Sequence, residues 1–292
     1  MSGAARALVT GGGGQLADAL VAAAPAGMAV DAPGIERLDI GDPAAVSAAL
    51  DAIRPELVVN AAAYTAVDRA ESEPDLADRV NHRAVSRLAE ACASRGIRLV
   101  QVSTDYVFDG RSPVPYRPDD ATNPQSVYGR TKRDGERAAL AAPGALVVRT
   151  AWLYAPRAGN FMHTMLRLLA ERDEIRVVAD QVGTPTLASG LAVAIWDLAA
   201  RGVAGVHHWT DAGVASWYDF AVAIQEEALA AGIDAVARAR VVPIRTIEYP
   251  TPAARPAMSI LAKETTWTAT RAPVVHWREA LRSALREVKR GS

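Results

Sequence analysis

The chain has 292 residues, enough to bury a large core in one or two domains. Half of them are hydrophobic, yet no stretch of about 20 is free of charge and turn residues, so no membrane-spanning helix is expected. The formal net charge is -1 with both signs interspersed, which excludes the basic stripe of a nucleic-acid binder.

In chain order, Ala5–Thr10 reads as a short apolar strand and Gly11-Gly-Gly-Gly14 follows at once. Gln15 to Ala24 then reads as an alanine-rich helix. Strand, glycine turn and helix is the context of a dinucleotide-binding fingerprint. Glycine lets the backbone approach a pyrophosphate, and the helix amino terminus offers it free N–H groups. The spacing is T-G-x-x-G-x-x-A, with Ala17 in place of a third glycine. Asp31 follows Gly11 by 20 residues, at the end of the apolar stretch Met28–Asp31, where an acid accepts hydrogen bonds from an adenosine ribose.

Further strands are expected at Leu57–Asn60, Arg98–Ser103 and Ala145–Arg149. Between them, Asp42-Pro43 opens a helix to Ile53, Leu76–Arg95 is a long helix stopped by Gly96, and Ser126–Ala141 is another. Apolar runs alternating with helices predict an α/β, Rossmann-like, doubly wound parallel sheet. Residues 1–155 are expected to form it, joined by part of 186–210, and 156–292 a smaller α/β substrate-binding lobe with a discontinuous boundary. That lobe should hold helices near Asn160–Arg172, Leu187–Arg201, Ser216–Ala231 and Val275–Val288 and a strand at Ile175–Val178. Pro243, Pro250, Pro252 and Pro256 should leave the stretch between irregular. Cys92 cannot close an internal disulfide and is expected on a buried helix face. The amino terminus enters the first strand directly, which leaves no room for a secretory signal and predicts a cytoplasmic protein.

The chemistry concentrates at Tyr128 and Lys132, four residues apart and so on one face of the Ser126–Ala141 helix. A phenol beside an ammonium is expected to have its pKa lowered, which suits it to protonate a carbonyl oxygen being reduced. Upstream, Leu99-Val-Gln-Val-Ser-Thr-Asp105 is an apolar strand ending in hydroxyls and a carboxylate. Strand carboxyl ends face the ligand crevice of such sheets, so Thr104 can reach the carbonyl oxygen that Tyr128 protonates.

These segments resemble the extended short-chain dehydrogenase/reductases. The likeness runs nearly end to end, through Val59-Asn-Ala-Ala-Ala-Tyr-Thr-Ala-Val-Asp68, Ser103-Thr-Asp-Tyr-Val-Phe-Asp-Gly110, Val127-Tyr-Gly-Arg-Thr-Lys132, Asp180-Gln-Val-Gly-Thr-Pro-Thr186 and Ser216-Trp-Tyr218. Within them the narrower S-T-D-Y-V-F-D-G and D-Q-x-G-x-P-T segments resemble reductases of dTDP-linked 4-keto-6-deoxy sugars.

The resemblance implies NADPH or NADH held by Gly11, Gly14, Gln15, Leu16, Asp31, Asp39, Ile40, Ala61, Ala62, Ala63, Tyr64, Thr65, Tyr128 and Lys132. Catalysis would fall to Tyr128, Lys132 and Thr104. Val67, Thr104, Asp105, Trp152 and Arg255 would meet the sugar nucleotide, Arg255 through its diphosphate. The family's R-P-x-x-S-x-L-[DN] run continues here as Ser259-Ile-Leu-Ala262, a local departure. The implied reaction is reduction of the C4 ketone of dTDP-4-dehydro-L-rhamnose to dTDP-L-rhamnose. Another dTDP-4-keto-6-deoxysugar, or a non-catalytic regulatory subunit, are the alternatives. Some family members use magnesium held by glutamates, but no ligands are assignable here. His207 and His208 point to opposite strand faces and are expected to be structural. A monomer and a homodimer are equally compatible with the sequence.

Overall fold

The computed structural model describes residues 5–157 and 159–291. Strands β1 (Ala5–Thr10), β2 (Met28–Asp31), β3 (Leu57–Asn60), β4 (Arg98–Thr104) and β5 (Leu146–Thr150) are joined by a sixth, Gly205–His208. Their order is Gly205–His208, β5, β4, β3, β1, β2, and every pairing in the sheet is parallel. Apolar runs such as Leu57-Val-Val-Asn60 and Leu146-Val-Val-Arg-Thr150 are buried along their whole length, as strands covered on both faces must be.

One face carries helices Gln15–Ala22 and Ala188–Ala200, sealed by Leu16, Leu20, Leu191, Ile195 and Trp196. The Trp196 indole N–H donates to the Leu20 carbonyl at 2.9 Å. The other face carries Pro43–Ile53, Ala84–Ala93 and Val127–Leu140, sealed by Val46, Leu50, Val85, Leu88 and Ala139. Asp42 caps the first of these through Ala44 N at 2.9 Å, with Pro43 at its start. Cys92 is buried there, and burial pushes its thiol pKa up to about 12.

A separate core forms where Phe161–Glu171, Trp217–Ala230 and Trp277–Gly291 pack with the strand Glu174–Val178. Two local expectations are corrected here. The long helix expected at Leu76–Arg95 runs without a break from Pro74 to Ala93 but is not uniform, because a π-turn at Arg79–Arg83 interrupts its α-helical bonding. The proline-punctuated stretch is not irregular throughout, because Arg240–Ile244 pairs in parallel with Glu174–Val178, setting Pro243 opposite Val177. Each strand of this ribbon is an edge, where a missing N–H is tolerated.

The sheet's direction of winding reverses between β1, which neighbours β2, and β3, which leads to β4. The crevice at their carboxyl ends is where such folds bind ligands.

Candidate active site

A cavity of about 780 Å³ opens at that reversal and runs across the carboxyl ends of β1, β3, β4 and β5. At one end, Gly11 (φ +78°) and Gly13 (φ +82°) take backbone conformations that disfavour side chains. A Cβ on Gly11 would stand 2.9 Å from the Ala62 backbone, and one on Gly12 would be 2.2 Å from the Ala32 carbonyl oxygen. The turn is therefore pressed against its neighbours with no side chain between the backbone and the cavity. Gly14, the residue before the Gln15–Ala22 helix, provides no side-chain cap, so the first N–H groups stay available to an anion.

Behind the turn, the Asn60 amide donates to Gln101 Oε1 at 2.7 Å and its oxygen accepts from the Thr10 hydroxyl. The Thr10 hydroxyl also accepts from Ala62 N at 3.3 Å. This chain pins the floor formed by Ala61–Thr65 to three strands at once.

The other end is built by the Val127–Leu140 helix. Ser126 caps it by accepting from Gly129 N at 3.1 Å, and the Glu71 carboxylate accepts from Val127 N at 2.7 Å. Gly129 is required: a Cβ there would lie 2.2 Å from the Tyr106 carbonyl oxygen. Tyr128, edge-on to Tyr106 at 5.5 Å, and Lys132 both line the cavity. The Lys132 ammonium donates to the Val102 carbonyl at 2.7 Å. Thr104 Oγ1 donates to Asp105 Oδ1 at 3.0 Å and accepts from Tyr106 N at 3.2 Å.

The expected lowering of the Tyr128 pKa is corrected. Burial pushes the phenol up to about 12, against the pull of hydrogen bonding from Thr104. Burial also brings Lys132 down to about 8, with the Glu136 charge opposing. The ammonium is engaged by a backbone carbonyl, and desolvation dominates both groups. Asp105 is raised to about 6, chiefly by burial, with the hydrogen bond from Thr104 pulling back.

The structure brings nearly all the expected residues to this one cavity: Gly11, Gly14, Gln15, Leu16, Asp39, Ile40, Ala61–Thr65, Val67, Thr104, Asp105, Tyr128, Lys132 and Trp152 all line it. Two do not. Asp31 is exposed and off the wall, and at that end Ile35 and Glu36 line the cavity instead. Arg255 also lies off the wall, its guanidinium forked onto Asp68 at 3.0 and 2.7 Å. That bond commits the donors expected for a diphosphate.

Sequence reasoning missed Ser103 and Thr150, which line the cavity with buried hydroxyls that have no hydrogen-bond partner, as does Asp105 Oδ2. Thr150 pairs in register with Thr104, so its place at a strand end was the available signal. It missed Asn81 as well, whose side chain accepts from Tyr64 N at 2.9 Å and donates to Thr131 Oγ1 at 3.2 Å. Asn81 thus ties the cavity floor to the Tyr128 helix. Among the described residues no group of three or more His, Cys, Asp or Glu could hold a metal ion, and no helix is long and apolar enough to cross a membrane. His208 is buried and driven down to about 3, first by burial and then by the Arg149 charge.

A switch-point cavity with a glycine cradle at one end and a Thr-Tyr-Lys set at the other defines a Rossmann-type chain of the short-chain dehydrogenase/reductase kind. The chain belongs to the RmlD substrate binding domain family, whose model matches residues 5–290. It is 44% identical over 288 residues to a dTDP-4-dehydrorhamnose reductase of Mycobacterium tuberculosis strain H37Rv, covering 96% of this chain and 92% of that one. Another of that name from Sinorhizobium fredii is 42% identical over 267 residues, 88% of each chain. The crystal structure of a Bacillus anthracis dTDP-4-dehydrorhamnose reductase in complex with NADP superposes with a TM-score of 0.91 at 34% identity, covering 97% of this chain and 99% of that one.

Proposed function

We propose that this chain is an NAD(P)H-dependent reductase converting dTDP-4-dehydro-L-rhamnose to dTDP-L-rhamnose. The observation that carries the reading is the convergence of Thr104, Tyr128 and Lys132 on the same cavity as the glycine cradle. Residues 1–155 with part of 186–210 would form the dinucleotide-binding part, and 156–292 mainly the substrate-binding part.

The cradle fits a dinucleotide pyrophosphate, because a Cβ at Gly11 or Gly12 would collide with backbone. Gly11, Gly14, Gln15, Leu16, Asp39, Ile40 and Ala61–Thr65 would hold it, and NADPH is favoured by the NADP-bound relative. When bound, that cofactor supplies the hydride for the C4 ketone.

Tyr128 supplies the proton. At about 12, its pKa keeps the phenol protonated near neutral pH, the state a donor needs. As the proton leaves, charge develops on a buried phenol, and Lys132 on the next helical turn and the Thr104 hydroxyl stabilise it. Thr104 also orients the reacting oxygen. Asp105, on the cavity wall beside Thr104, would help to orient the sugar, while Val67 and Trp152 offer apolar walls. The nucleotide contributes binding energy away from the reacting carbon. The reading sets the reaction in the cytoplasm.

The test is loss of nicotinamide absorbance with enzymatically generated dTDP-4-keto-L-rhamnose, run with NADPH and NADH in parallel. Tyr128→Phe is expected to lower kcat by about 10²- to 10⁴-fold while NADPH binding persists. Full turnover by that variant rejects the proton-donor assignment. No turnover by wild type that binds NADPH shifts the reading to another keto sugar or to a regulatory subunit.

A further inference from the structure

Among the described residues, Trp152 is the one non-glycine residue on the cavity wall with a left-handed backbone, φ +48°. A bulky residue reaches that conformation only where its surroundings hold it. Two contacts do so. The Trp152 indole stacks on the Trp217 indole with centroids 3.5 Å apart and planes 6° apart. Its edge also lies over Gly183, where a Cβ would come within 2.7 Å of the ring.

Trp217 stands behind Trp152, off the cavity wall. It is itself fixed. It opens the Trp217–Ala230 helix directly after a capping box, with Asp219 N donating to Ser216 Oγ at 3.0 Å and Ser216 N to Asp219 Oδ2 at 2.8 Å. Phe161 also packs against it, tilted by 48° with ring centroids 4.6 Å apart. Gly183 is brought alongside by antiparallel pairing of Val182–Gly183 with Ala215–Ser216. The carbonyl of Trp152 accepts from Thr186 N at 3.1 Å, which ties the strained backbone to the same segment.

We propose that Trp217 and Gly183 are positioning residues: together they clamp the Trp152 indole in one orientation as the wall against which the sugar of the dTDP substrate lies. Neither lines the cavity that holds the glycine cradle and Tyr128. Their loss should therefore weaken sugar-nucleotide recognition and spare the chemical step. The inference rests on the reductase reading for its substrate but not for its geometry.

Trp217→Ala is expected to raise KM for the dTDP sugar about tenfold or more, with kcat and NADPH affinity within about threefold of wild type. Trp217→Phe, which keeps a stacking ring, should recover most of the loss. Should Trp217→Ala not fold, Gly183→Ala presses a methyl onto the same indole and should raise the same KM. A wild-type KM in the folded variant, or equal losses in KM, kcat and NADPH affinity, overturns the proposal. Ultraviolet circular dichroism reads the stack without substrate: the exciton-split band of paired indoles should vanish equally in Trp152→Phe and Trp217→Phe. Its absence from wild type overturns the clamp. Its presence in a wild type that does not turn over the dTDP sugar supports the clamp and counts against the reductase reading alone.

Discussion

Asp105 shows how far one side chain's environment can depart from its sequence context. As the carboxylate after a strand-end Ser-Thr pair, it reads as a residue orienting a site or capping a turn. In the fold it is 2% exposed, with one oxygen bonded to Thr104 and the other unpaired. Its pKa rises from 3.8 to about 6, so the folded state prefers the protonated form. The resulting penalty is absent below the unfolded pKa, grows as pH rises through this window, and is complete above the folded pKa. It amounts to on the order of 2–3 kcal/mol. Asp105→Asn is therefore expected to be more stable than wild type near pH 7.5 by about 1–3 kcal/mol, with no gain near pH 4. Urea titrations at the two pH values check this, and equal stabilities near pH 7.5 would refute it. Activity should fall in the same variant, since Asp105 lines the cavity beside Thr104. The Tyr128–Lys132 spacing was legible because helical geometry sets it, whereas the direction of both pKa shifts was not. Desolvation depends on what closes over a residue, which neighbours in sequence do not report.

At the scale of elements, the Val127–Leu140 helix is located by small residues as much as by its caps. Gly129 meets the Tyr106 carbonyl and Gly135 the Asn81 carbonyl, each with no room for a Cβ. Gly129→Ala should push the helix off the end of β4 and with it the phenol of Tyr128. A shift near 1 Å is enough to lower kcat about 10²-fold. Stopped-flow turnover alongside NADPH binding measures this, and an active Gly129→Ala would show that the helix has slack. Asn81 lies in the π-turn at Arg79–Arg83, a kind of irregularity often found at functional sites. Sequence periodicity read Leu76–Arg95 as one helix because a single wide turn leaves the apolar spacing nearly unchanged. The strand at Arg240–Ile244 was hidden for a different reason: Pro243 reads as a breaker unless the strand is known to lie at an edge.

Across the whole molecule, the buried ion pair of Arg149 and Glu136 joins the sheet to the Tyr128 helix. The side chains are 5% and 3% exposed and doubly bonded at 2.8 Å. The guanidinium also donates to the Pro118 carbonyl at 3.1 Å and lies 5.0 Å over the Phe108 ring, with His208 beside it. One cation thus gathers β5, the Tyr128 helix, the segment after β4 and the Gly205–His208 strand. Glu136→Ala should cost about 3–5 kcal/mol, because it strands the guanidinium in a dry interior. Replacing Arg149 by Met in the same chain should recover much of that. A urea-denaturation series on the two variants decides the point, and a cost below about 1 kcal/mol for Glu136→Ala would mean that water reaches the pair.

What the sequence determined by itself was local. Apolar runs between helical patterns prescribed a parallel sheet, Gly11–Gly14 prescribed a turn open to a pyrophosphate, and Tyr128 and Lys132 had to share a helix face. Each follows from interactions a few residues long. Only the tertiary structure decided that Arg255 spends its donors on Asp68, that Asp31 stands off the cavity wall, and that Trp217 backs Trp152. Those contacts join residues 65 to 187 positions apart, and the sheet order and lobe packing that bring them together leave no periodic trace in the chain.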